Sequence, residues 1–315
     1  MWIEVEKCTE SHSEDCSGMK LSIVVPVYNA AQYLPRFFGC LDELREAEVI
    51  CVDDCSTDES GAVLQAEAGR RERIKVLRLE SNQGVAAARQ AGLDVATGKW
   101  VIFADPDDLV DTGMYEGLLS AAEESGADLV WEDFYENDVR RPQPYDGDAE
   151  GMICEILDGR IHGATWNKII RRSFVEQSGA RFCEERLGLC EDVDFLCQLL
   201  VKDPKIRYVD ACHYHYVNVA SSATHKLSEQ SFKDLERVAA RLTKILLAEK
   251  TKSALLKWRK GNRLACFLQK HIRDEFFYGF AGDLRNLNGL PTNLMLKVLF
   301  WLGARGGRKW LLKFL

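Results

Sequence analysis

Apolar and polar positions exchange between two regimes over the first 133 residues. Leu21-Ser-Ile-Val-Val-Pro-Val27 is a nearly unbroken apolar run rich in β-branched residues, as in a strand buried on both faces. From Tyr33 to about Leu44, Leu34, Phe37, Phe38 and Leu41 recur at helical spacing. The exchange then repeats. Glu48–Val52, Ile74–Leu79, Trp100–Ala104 and Ala127–Asp133 read as strands, and Ser60–Gly69, Gly84–Ala96 and Thr112–Glu124 as helices. Strand and helix alternating through short links predict an α/β domain with a mostly parallel central sheet between helices, joined by right-handed crossovers.

Beyond Asp133 the alternation fails. Arg140–Gly151 reads as a loop by its Pro, Gly and Asp content, and Glu191–Leu200 as a helix with an acidic start. His213–Tyr216 reads as part of a strand. From Phe232 the pattern is helical, with Phe232, Leu235, Val238, Leu242, Ile245 and Leu246 on one face. The expected divisions are a polar leader at 1–19, a body at 20–229 and a helical C-terminal extension at 230–315. Met1–Lys20 has no apolar core of the secretory type. No uninterrupted apolar run reaches the ~18 residues of a membrane span, so a cytoplasmic location is expected.

Composition sharpens this picture in two places. With 46% hydrophobic and 29% charged residues the chain can bury a sizeable core, which excludes disorder and small disulfide scaffolds. The 11 Cys include no C-x-x-C pair and read as small apolar residues of a reduced chain. The net charge of −8 is unevenly spread: residues 230–315 hold 18 basic and 6 acidic residues, leaving −20 on residues 1–229. The acidic body argues against nucleic acid as a partner.

In open α/β sheets ligands bind beyond the carboxyl ends of the strands, so the residues just after each apolar run are informative. Strand one is followed by Pro26-Val-Tyr-Asn29, strand two by Asp53-Asp-Cys-Ser-Thr-Asp58, strand three by Ser81-Asn-Gln-Gly84 and a helix carrying Arg89, and strand four by Asp105-Pro-Asp-Asp108. Singly, these are ordinary caps and turns. Converging on one sheet edge, they suit a nucleotide-sugar. A ring can stack on a base, a carboxylate can accept an imide N–H, and a D-x-D pair can hold a hard divalent cation that neutralises a departing diphosphate. No G-x-G-x-x-G comes after strand one, which disfavours a dinucleotide-binding dehydrogenase.

Together P-V-Y-N, V-D-D-x-S-T-D (Val52–Asp58), N-x-G-x-x-x-A-R (Asn82–Arg89) and F-x-D-x-D-D (Phe103–Asp108) resemble the non-processive, inverting family 2 glycosyltransferases of GT-A type fold. The match runs from about Leu21 to Asp133 and more loosely to about Thr224. Gln90, where many relatives have Asn, and Pro106 inside the D-x-D depart from the pattern. The resemblance implies a nucleotide half at about 20–133 and an acceptor half at about 134–229. It implies a donor site of Pro26, Val27, Tyr28, Asn29, Asp53, Asp54, Arg89, Asp105 and Lys168. In it Tyr28 stacks near uracil, Asp54 accepts its N3–H, Asp53 supports the strand end and Arg89 approaches the nucleotide. Asp107 would bind Mn2+ or Mg2+, and Asp105 would meet either that metal or the ribose, with Asp108 either a third acid of the site or a helix cap.

An inverting transfer needs a base opposite the leaving diphosphate. By resemblance Asp192 is that base with Glu191 beside it, although acids also favour helix N-termini. Trp166-Asn-Lys168 resembles a segment of non-processive members; Lys168 either approaches the diphosphate or is solvated beside a core Trp166. His213 and His215, at i and i+2, share a strand face. His215 is the third candidate metal ligand, and the alternative is two ordinary half-buried strand residues. Ser221–Thr224 would form part of a lid.

The implied function is a metal-dependent transfer of one sugar from a nucleotide-sugar, a UDP-sugar, to a glycan or lipid-linked acceptor in surface polysaccharide synthesis. The alternative is a non-catalytic module of the same fold that binds a nucleotide-sugar or a protein. Residues 288–315 mix Lys297, Arg305, Arg308, Lys309 and Lys313 with apolar and aromatic residues and no acid. They suit either contact with the inner face of the cell membrane or packing on the acidic body.

Overall fold

In a computed structural model of the chain, residues 20–41, 44, 47–111, 113–217 and 229–268 are described. The expected leader, Ser221–Thr224 and 288–315 lie outside these residues. The described chain divides into two compact units. The first comprises Met1–Ala149, Ala164–Leu187 and Lys202–Val219, and the second Glu150–Gly163, Gly188–Val201 and Ala220–Leu315.

The first unit carries the sheet. β1 (Leu21–Val27), every residue buried, runs parallel to β2 (Ala47–Asp53) and to β4 (Trp100–Phe103), and β2 parallel to β3 (Ile74–Arg78). These are the strands read from sequence; β1, β2 and β4 are buried on both faces and so lack alternation, while β3, at the end of the sheet, leaves Lys75 half-buried and Arg78 exposed. Beyond β4 the sheet becomes mixed. β8 (Lys168–Arg171) pairs antiparallel with β4 and with β6 (Leu129–Glu136), while β9 (Ile206–Tyr216) runs parallel to β6. β5 (Leu109–Val110) and β7 (Val139–Arg141) add antiparallel to β9 and β6. The order is β3-β2-β1-β4-β8-β6-β9-β5, with β7 on β6.

Helices α1 (Leu34–Cys40), α2 (Ser60–Arg70), α3 (Val85–Asp94), α4 (Gly113–Ser125) and α6 (Arg172–Ser178) belong to this unit. One core cluster joins Ile23, Val25, Phe37, Phe38, Val49, Trp100, Met114 and Trp166. The loop expected over 140–151 is shorter, because β7 takes Val139–Arg141 and α5 (Ala149–Leu157) starts before it ends. In the second unit, α7 (Glu191–Leu200), α8 (Glu229–Ile245) and α9 (Glu249–Leu268) bury Phe195, Leu196, Leu199, Val238, Leu242 and Leu255. Arg241 of α8 donates to the buried Asp194 of α7 at 3.0 Å.

Candidate active site

The carboxyl ends of β1, β2 and β4 bring together most of the first-unit residues that the motifs point to. β1 ends with Pro26 and Val27 buried and the Tyr28 ring 49% exposed beyond them. Pro26 and Val27 thus contribute main chain rather than side chain, and Val27 O accepts Asp54 N at 2.8 Å. Asn29 adopts a left-handed φ of 51°. Its Oδ1 accepts Thr57 N at 2.8 Å and its own N–H donates to Ser56 Oγ at 3.0 Å. Asn29 therefore ties the loop after β1 to the loop after β2.

Asp53 and Asp54 are adjacent and face different partners, as alternation at a strand end requires. Buried Asp53 accepts Ser56 N and Arg78 Nη1, both at 2.8 Å, and so stiffens the turn. Asp54 accepts the backbone amides of Gln83 at 2.7 Å and Gly84 at 2.8 Å. Burial pushes its carboxyl up, while those amides and the Arg186 charge pull it back. The residue is thereby fixed against the start of α3. Arg89 of α3, 3% exposed, donates through Nη2 to Asp105 Oδ1 at 2.9 Å.

The acids after β4 have three environments. Asp105 is held by Arg89. Asp107 is half-buried, and burial followed by the Asp105 charge pushes its carboxyl up; Arg36 Nη2 donates to its main-chain O at 2.8 Å. Asp108 is turned inward, accepting Tyr214 Oη–H at 2.5 Å and Val217 N at 2.8 Å. Burial and the Asp105 charge push Asp108 up to about 8. It caps no helix: its partners lie on and just after β9.

Lys168 and the histidines have other partners. Lys168 is fully buried, donating through Nζ to Ala164 O at 2.7 Å and Asn167 Oδ1 at 2.8 Å, so it is not solvated. Trp166 is core, stacked on Tyr214 with centroids 4.2 Å apart. His213 Nδ1 lies 2.9 Å from Glu132 Oε2. His215 Nε2 lies 3.2 Å from Asp111 Oδ2, its ring stacked on Tyr135. Among the described residues no cluster of three or more His, Cys, Asp or Glu is disposed to hold a metal ion, so Asp105, Asp107 and His215 are not gathered as a ligand trio. In the second unit, Glu191 and Asp192 are half-buried in the first turn of α7, where the helix dipole favours acids.

Two arginines escaped the sequence reading. Arg36 sits on α1, where it looks like a solvated helix position, and Arg186 lies in a stretch with no periodic pattern.

Residues 22–176 match glycosyl transferase family 2, a span that takes in nearly all of β1, β2 to β4 and the motifs from Pro26 to Asp108. The chain belongs to glycosyl transferase family 2. It is 31% identical over 227 residues to EpsH of Bacillus subtilis, a protein named as a glycosyltransferase, covering 67% of this chain and 64% of that one. Its length spans from 40% to 64% of EpsH and three further curated relatives.

The fold is of GT-A type. The crystal structure of residues 1–349 of S. aureus TarS in complex with UDP-GlcNAc superposes with a TM-score of 0.68 at 22% identity, covering 88% of this chain and 83% of that one. The mannosyltransferase PcManGT from Pyrobaculum calidifontis, in complex with GDP-Man and Mn2+, gives 0.55 at 15% identity, covering 79% and 72%.

Proposed function

We propose that this family 2 member is an inverting, metal-dependent glycosyltransferase. It moves one sugar from a UDP-sugar to a glycan or lipid-linked acceptor in surface polysaccharide synthesis. The observation that carries the reading is the order of groups along one sheet edge: the exposed Tyr28 ring, the amide-held Asp54, the Arg89–Asp105 pair and Asp107. The TarS complex with UDP-GlcNAc supports a uridine donor.

A hard divalent cation fits the Asp105–Asp107 pair, because the Asp105 charge opposes ionisation of Asp107 and a cation would relieve that repulsion. Asp107 and Asp105 would hold it, with phosphate and water oxygens completing a shell of the kind Mn2+ and Mg2+ prefer. When bound, the cation supplies charge neutralisation on the diphosphate. Tyr28 stacks on the base, Asp54 accepts its imide N–H, and Arg89 holds Asp105 in place. Asp192 takes the acceptor hydroxyl proton, with Glu191 beside it. Lys168 supports Asn167 from within rather than reaching the donor, and His215 stays with Asp111. In this reading residues 20–229 are the catalytic part, and the basic stretch 288–315 brings it to the inner face of the cell membrane.

The test is metal-dependent turnover of UDP-sugars and GDP-mannose, read with UDP affinity in the same samples. Asp107→Ala should abolish turnover and metal-dependent UDP binding. Asp192→Asn should lose about 10²–10⁴-fold in kcat while keeping UDP affinity. Full activity in excess EDTA sinks the metal assignment. Nucleotide-sugar binding without any turnover would leave a non-catalytic module.

A further inference from the structure

An arginine from a distant part of the chain lies across the start of α3. A Cβ built on Gly84 would stand 3.1 Å from Cγ and 3.6 Å from Nε of Arg186, so the arginine runs along the bare face of the glycine. Gly84 also has φ +94, a conformation that only glycine adopts readily. The backbone conformation disfavours a side chain there, and one would also have to displace the arginine. The guanidinium charge reaches Asp54, whose buried carboxyl it helps to ionise alongside the amides of Gln83 and Gly84.

The other arginines of this edge are engaged: Arg78 on Asp53, Arg89 on Asp105 and Arg36 on the main chain of Asp107. Arg186 is exposed and, among the described residues, makes no hydrogen bond or ion pair. Arg186 lies along Gly84, whose amide Asp54 holds at 2.8 Å, so an uncommitted guanidinium sits in the neighbourhood of a fixed acceptor. Each Asp54 oxygen accepts one amide and keeps a further lone-pair direction free.

We infer that Arg186 is a donor-recognition residue, its guanidinium donating to a keto oxygen of the base whose imide N–H is accepted by Asp54. The inference rests on the uridine-donor reading above. Uracil presents an N–H flanked by carbonyls, the complement of this pair. Cytosine presents an unprotonated N3, and an amino group where uracil has its C4 carbonyl. Asp54 then loses its N–H, and an arginine donor directed at C4 meets another donor, which is the stronger form of discrimination. The diphosphate belongs farther along the edge. Asp105 and Asp107 come after β4, which is separated from β2 by β1, about 10 Å at the usual strand spacing.

Calorimetry of the full chain with Mn2+ tests this, titrating UDP, CDP and inorganic pyrophosphate into wild type, Arg186→Ala and Arg186→Lys. Arg186→Ala should weaken UDP by about tenfold, within the range of hydrogen bonds to charged groups. It should leave pyrophosphate unchanged and narrow the preference for UDP over CDP. Arg186→Lys should recover part of the UDP loss. Melting temperatures should stay close, since Arg186 is exposed and, among the described residues, makes no hydrogen bond or ion pair. Unchanged UDP affinity in Arg186→Ala overturns the inference alone, and an equal loss for UDP and pyrophosphate overturns it in favour of a phosphate contact. A wild type that binds no UDP overturns the donor reading, and the inference with it.

Discussion

Asp107 and Asp108 are chain neighbours with opposite surroundings, and the difference decides what each does. Asp107 is half-buried, and burial followed by the Asp105 charge pushes its carboxyl up. Asp108 is committed to Tyr214 and Val217. Burial beside Asp105 pushes the Asp108 carboxyl up to about 8, against about 3.9 for an unfolded aspartate. The native state therefore keeps a proton that the unfolded state has released. The stability contributed by this group is full below about pH 4, declines as pH rises and is gone above about pH 8. Asp108→Asn removes that titration. In metal-free buffer its melting temperature relative to wild type should climb across this window; a difference independent of pH would show that Asp108 is already ionised when buried. The residue types of the site were legible in the sequence, since Asp-rich turns after apolar runs stand out. Their partners were not. Whether Asp108 meets a cation or Tyr214 depends on β9, more than a hundred residues away in sequence, and no local pattern reports that contact.

At the scale of elements, α3 shows why some segments could be read and others could not. Its Ala-rich composition, Ala86, Ala88 and Gly92 among its buried residues, reflects how closely it lies on the sheet. A Cβ on Gly92 would stand 2.4 Å from Val24 Cγ1 and 3.2 Å from Val52 Cγ2. In an open helix Gly→Ala stabilises by about 0.5–1 kcal/mol. Here Gly92→Ala should destabilise by about 1–3 kcal/mol through overpacking. It should also weaken UDP binding, because Arg89 lies one turn earlier on the same helix. A raised melting temperature would mean that α3 can lift off β1 and β2 without cost. The strands β1, β2 and β4 were legible because burial on both faces demands nearly continuous apolar runs. β5 and β7 have two and three residues, too few for any period. β8 begins at Lys168, a charged residue satisfied by Ala164 O and Asn167 Oδ1 inside the fold, and polarity alone argues against a buried strand.

At the scale of the whole molecule, charge is the property that local reading captures best, because it needs only counting. Residues 230–315 carry 18 basic and 6 acidic residues, and residues 288–315 carry five basic residues and no acid. No described helix is long and apolar enough to cross a membrane, so the proposed bilayer contact rests on that basic stretch. Each Lys or Arg near an anionic leaflet contributes about 1 kcal/mol, and the apolar residues between them add burial in the interface. Five such cations suffice to hold a chain at a surface, and the effect must fade as salt screens it. The competing role, packing on the −20 body, predicts a different response. Replacing Lys297, Arg305, Arg308, Lys309 and Lys313 by Gln in the full chain separates the two. If the stretch meets lipid, the wild type should sediment with anionic vesicles at low salt and release at high salt. The five-fold variant should then remain in the supernatant with an unchanged melting temperature. If the stretch packs on the body, the variant should melt lower and neither protein should sediment. A lipid-linked acceptor, its reacting hydroxyl at headgroup level, would make the first outcome the useful one: the donor edge would work where its second substrate is concentrated.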